Sequence, residues 1–299
     1  MVAAEELWSR ASRRRWWQRA IQVAPIRLVL GLLFLAPIAG ASAASGALPT
    51  GASRVIAQLA MTVSLLGMLA AFAYVIESRR ARELSLVGAP LEALAGFAIG
   101  VALMAATTGG LVLLGAYRVE TGGSARALAG GVVVFLAPSL VEELVMRALF
   151  FKIIEEAIGS WSAMVLQAGL FGALHLGNPG ASAFGAIAIA LEAGVLLAAV
   201  YMYTRRLWAA WALHFGWNWA QGSLFGIAVS GTKGHGSWLL AKPLGSPWLS
   251  GGDFGVEASP VAVVLCMIAS AFILREAVGR GQLVRYRSQR DRVRALLSA

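Results

Sequence analysis

The stretch Val55–Ile76, VIAQLAMTVSLLGMLAAFAYVI, carries no charged side chain. A helix needs about 20 such residues to cross the hydrocarbon core of a bilayer. A backbone in lipid must satisfy its own polar groups, so helices or closed barrels are the available spanning elements. The short alternating segments of a membrane barrel are missing. Further apolar runs at Ile26–Ala44, Leu91–Ala116, Ala127–Phe151, Ser162–Leu176, Ala181–Tyr203, Leu207–Val229 and Pro260–Ile273 bring the expected spans to eight. The expected fold is an all-α, polytopic transmembrane helix bundle. The fifth and eighth runs are short and suit the inside of a bundle. Composition agrees: 59% of the 299 residues are hydrophobic and 13% charged, about half the charged fraction usual in a soluble domain.

The net charge of +10 is distributed as a membrane topology, not as a nucleic-acid footprint. With eight spans, nineteen of the 25 Lys and Arg fall on one side, five on the other, and Arg147 within a span. The positive-inside rule then places both termini in the cytoplasm, and the basic face meets anionic lipid. Residues 1–25 read as a basic, amphipathic, interfacial lead with Trp8, Trp16 and Trp17. Residues 26–126 hold three spans with few polar groups and no assigned role. Residues 127–278 hold the polar groups, and 279–299 form a basic cytoplasmic tail. The loop Ser230–Ser259, rich in Gly, Ser, Pro and Trp, reads as an irregular cap on the outer face. A lone cysteine, Cys266, excludes an internal disulfide and a multi-cysteine metal site.

Ionisable groups inside spans are expensive, and each is a functional hypothesis with a partner to be found. The fourth span contains SLVEELVMRALF, Ser139–Phe150. Glu143 and Arg147 are four residues apart and share a helix face, which suits a structural ion pair. Glu142 points about 100° away and is free to face something else. Pro138, one turn earlier, weakens the backbone there. The fifth span ends in FGALH, with Phe171 and His175 on one face. The seventh contains HFGWN, with His214 and Asn218 on one face. Each of these taken singly also reads as a helix-packing hydrogen bond. Taken together, a carboxylate and an imidazole can deprotonate a shared water, and a second imidazole with an amide can hold an oxyanion. The same donors, Glu142, His175 and His214, can instead ligate a divalent metal such as zinc. By counting along the spans, His175 lies nearer the outer surface than Glu142 and His214, a mismatch of depth. Glu192, in the sixth span, reads as a hydrogen-bond partner of a neighbouring helix. His235 reads as a solvated loop residue.

EELVMR, FGALH and HFGWN, in this order, resemble the three motifs of the CPBP family of intramembrane proteases. These are the CAAX-processing and bacteriocin-processing enzymes, related to the Ras-converting endopeptidase. YMYTRRLW, FGIAVSG and DFGVEAS resemble further segments of that family, so the likeness runs over roughly 132–259. The resemblance implies that 127–278 is a catalytic helix bundle acting on a membrane-anchored protein or peptide precursor, in the plasma membrane of a bacterium. It implies that Glu142 and His175 activate water, that His214 and Asn218 hold the oxyanion, and that Glu143, Arg147 and Phe171 support them. Members of the family have been described as glutamate-type and as metal-dependent. The lack of a cysteine motif and of a third spanning histidine favours the glutamate type without a cofactor. Two other classes fit a buried Glu/His set: a non-catalytic immunity or scaffold protein on the same fold, and a proton-coupled transporter. The transporter lacks support from matching, Gly/Pro-broken half-helices.

Overall fold

The computed structural model describes residues 23–45, 52–233 and 236–286. Trp8, Trp16, Trp17, His235 and most of the basic tail lie outside these, as does much of the charge that sets the expected orientation. The principal helices among the described residues are α1 (Ala24–Ser45), α2 (Ala52–Val75), α3 (Ala89–Leu113), α4 (Arg126–Ile158), α5 (Ser160–Leu174), α6 (Ala183–Thr204), α7 (Leu207–Trp219) and α8 (Pro260–Gly279). They stand where the apolar runs place the spans. Five are long and apolar enough to cross a membrane: α2 from Val55, α3, α4, α6 and α8. The apolar part of α1, Ala24–Pro37, is shorter, and α5 and α7 have 15 and 13 residues. The chain is an all-α, integral membrane helix bundle.

Exposure separates lipid-facing from central helices. Val264, Ile268 and Phe272, each four residues apart on α8, are exposed, as are Ile56, Leu59 and Val63 on α2. Such apolar faces need lipid around them. In α6, 61% of the apolar window is buried, against 22–39% in the other four candidate spans. It is therefore the axis around which α5, α7 and α8 pack.

Three local devices set this packing. Ser182 and Ser259 start α6 and α8 by accepting the N–H of Gly185 and Ala262 at 3.0 and 3.1 Å, and Pro260 supplies a preformed first turn. Gly159, at φ 88°, turns the chain between α4 and α5 in a conformation that side chains resist. Gly96 and Gly100 let α3 lie directly on α7, because a Cβ at either would overlap the carbonyl oxygens of Ala209 and Leu213. Gly100→Val is expected to part these helices and lower stability by about 1–3 kcal/mol. Thermal unfolding in detergent would show this as a reduced midpoint.

The loop after α7 carries more regular structure than its composition suggested. Residues Leu239–Pro243 (β2) pair antiparallel with Tyr117–Thr121 (β1), from Tyr117↔Pro243 to Thr121↔Leu239. The loop also contains a helical turn at Pro247–Ser250 and a 3₁₀ turn at Val256–Ala258. Neither strand is long enough to stand out by periodicity. Their pairing depends on two loops separated by four helices meeting at one end of the bundle.

Candidate active site

Three helices change from α to π geometry beside their polar residues. The wide turns are Leu144–Phe151 in α4, Ala190–Val195 in α6 and Ala220–Leu224 continuing α7. They follow Glu142 and Glu143, enclose Glu192, and follow Asn218. Such turns re-aim side chains and concentrate at functional sites. Pro138 does not end α4: the α geometry runs through it to Glu143 before the wide turn begins.

Glu143 and Arg147 are fully buried and paired as their spacing predicts, with Arg147 Nη1 donating to Glu143 Oε1 at 2.6 Å. Arg147 Nη2 also donates to the Ala193 carbonyl at 2.9 Å, which ties α4 to the wide turn of α6. The guanidinium lies over the Phe171 ring, 4.7 Å from its centroid. The same ring stacks against His175 at 4.7 Å and meets His214 edge-on at 6.2 Å. Phe171 is thus a common wall for the arginine and both imidazoles, a role that spacing alone does not reveal.

Glu143 does more than balance Arg147. Its Oε1 also accepts from His214 Nδ1 at 2.9 Å, which fixes the imidazole ring. Two α7 tryptophans on either side of His214 hold that helix to α4: Trp211 and Trp219 donate to the Leu136 and Leu128 carbonyls at 3.1 and 2.8 Å. His214 Nε2 then faces Glu142 Oε2 at 3.8 Å. Glu142 is the less enclosed of the two acids, with 39% of its side chain exposed against none for Glu143.

The depth mismatch expected for His175 disappears because α5 folds back along the second half of α4. From the turn at Gly159, Glu142 is 17 residues back and His175 16 residues forward. At 1.5 Å per residue both lie roughly 25 Å from that turn. Counting α5 as a full span had put its end too far out. His175 Nδ1 faces the Phe171 carbonyl at 2.7 Å. A carbonyl only accepts, so Nδ1 carries the hydrogen and Nε2 is the free ring nitrogen in the neutral form.

One cavity of about 300 Å³ is lined by Glu142, His175, His214 and Asn218 together. Pro138 and Leu213 supply apolar wall. Among the described residues no three His, Cys, Asp or Glu side chains form a group that could hold a metal ion.

The structure adds lining residues that the sequence reading passed over. Asn178 lies in the GNPG segment that follows His175 and a leucine, and Glu257 in DFGVEAS, quoted without a role. The hairpin Val229–Thr232 dips against the cavity, held by mutual hydrogen bonds of Val229 and Thr232. Its tip is fixed by Glu257 Oε2, which accepts from the Ser230 N–H at 2.6 Å and hydroxyl at 3.1 Å. Burial pushes the Glu257 carboxyl above the usual range, opposed by the Ser230 N–H. Glu192 is corrected: it lines the cavity, and its buried Oε2 has no hydrogen-bond partner among the described residues.

Residues 124–220 match the family model described as type II CAAX prenyl endopeptidase Rce1-like. The match agrees with the resemblance carried by EELVMR, FGALH and HFGWN, all three of which it contains. It supports a CAAX-type intramembrane protease in general. No curated protein and no solved structure matches the chain.

Proposed function

We propose that this chain is an intramembrane endopeptidase of the glutamate type, cleaving a peptide bond in a membrane-anchored protein or peptide precursor. The observation that carries this reading is that Glu142, His175, His214 and Asn218 all line one cavity within the bundle. The His175 tautomer leaves Nε2 as a base, and Glu142 is an acceptor lining the same cavity. A water between them loses its proton to one of the two as its oxygen bonds the scissile carbonyl carbon. The carbonyl electron pair moves to oxygen, where the Asn218 amide and His214 face it. With Nδ1 donating to Glu143, His214 presents a second N–H at Nε2 only as an imidazolium. Collapse of the intermediate breaks the C–N bond, and the leaving amine takes back the proton held by Glu142 or His175. We place both termini in the cytoplasm, in a bacterial plasma membrane, with lipid around the exposed faces of α2 and α8 and no nucleic-acid partner.

The test is precursor cleavage by the purified, reconstituted chain. His175→Ala and His214→Ala are each expected to lose at least about a hundredfold in rate, and a chelator is expected to leave the wild-type rate unchanged. Full activity in both variants would point to a non-catalytic role for the histidines. Loss on chelation with recovery on added zinc would replace the glutamate type with a metal-dependent one.

A further inference from the structure

The reaction above leaves two acids of the cavity unused, Glu192 and Glu257. Glu192 is 2% exposed, lines the cavity, and its Oε2 has no hydrogen-bond partner among the described residues. No Lys or Arg there forms an ion pair with it. A carboxylate left so at this depth is costly unless it is protonated or a counter-charge arrives. The wide turn Ala190–Val195 aims it into the cavity, and that turn is held by the Arg147 bond to the Ala193 carbonyl. A second acid, Glu257, reaches the cavity from the outer side, with its Oε2 occupied by Ser230. Around Glu192 the wall is aliphatic, formed by Ile189, Leu196 and Leu197. A carboxylate at the end of an aliphatic wall is complementary to an ammonium on a flexible hydrocarbon stem.

We propose that Glu192 is a specificity-determining residue that takes a cationic, lysine-type side chain of the substrate into the cavity, with Glu257 adding negative potential. This rests on the endopeptidase reading, because it assigns a substrate feature to the same cavity. The charge of the incoming group and the charge of Glu192 each make the other tolerable at that depth, so a neutral side chain of equal length is held less well.

The test is equilibrium binding of n-hexylammonium and n-hexanol to the full chain in one detergent, followed by thermal stabilisation. The wild type is expected to bind the ammonium at least about tenfold more tightly than the alcohol. Glu192→Gln is expected to remove that preference, and Glu257→Gln to reduce it. Glu142→Gln is expected to keep it, which separates this acid from the hydrolytic one. Equal binding of both probes by the wild type would overturn the proposal. So would a preference that persists in Glu192→Gln or vanishes in Glu142→Gln. If Glu192→Gln does not fold, the wild-type, Glu257→Gln and Glu142→Gln comparisons still decide. The assay reads binding, so a chain that selects the amine and cleaves nothing overturns the endopeptidase reading alone.

Discussion

Glu142→Gln is expected to lower kcat for precursor cleavage by roughly 100- to 10,000-fold, the range over which a general base contributes. Its thermal midpoint is expected to stay close to the wild type. Both halves follow from where Glu142 sits. Its side chain is 39% exposed, and its nearest charged contact is His214 Nε2 at 3.8 Å, too long for a hydrogen bond. Removing its charge leaves no buried partner stranded. A cleavage assay beside a melting curve on the same preparation checks this. A variant that cleaves at the wild-type rate would remove Glu142 from the chemistry. One that loses activity only by unfolding would make it a structural residue.

Arg147→Met is expected to have the opposite profile, with stability lost first and activity with it. Arg147 and Glu143 are completely buried, so removing the cation leaves an uncompensated carboxylate, at a cost of about 3–5 kcal/mol. The bond to the Ala193 carbonyl and the contact with Phe171 go as well. The double variant Glu143→Leu/Arg147→Met separates brace from catalyst. Replacing both ions by apolar groups often restores stability, so the double variant is expected to melt well above Arg147→Met. It is still expected to be inactive, because His214 Nδ1 loses the Glu143 oxygen that orients it. Equal melting of the single and double variants would show that the pair is not the source of the instability. An active double variant would show that His214 needs no orienting acid.

The helices were legible because lipid imposes a simple rule on sequence: a span must be apolar and about 20 residues long. The apolar runs therefore predict the principal helices closely. The pairing of Glu143 with Arg147 was legible for a related reason, since an i,i+4 spacing places them together before any tertiary contact forms. The choice of Glu142 as the acid facing elsewhere came from the same helical geometry. The motifs brought His175, His214 and Asn218 into consideration, but no local rule gave their distances.

Those distances were decided by tertiary structure. The turn at Gly159 makes α5 retrace half of α4, and this brings His175 level with Glu142. The double use of one Glu143 oxygen, by Arg147 and by His214, joins residues 71 positions apart. The β1–β2 pair and the Ser230–Glu257 contact join loops that are remote in the chain. Sequence period reports what a segment does within its own helix or against its solvent. By itself, then, the sequence determined that this chain is a helical membrane bundle with a small polar set. Which of those polar groups share a cavity, and that Glu192 stands among them without a partner, depended on how the helices fold back on one another.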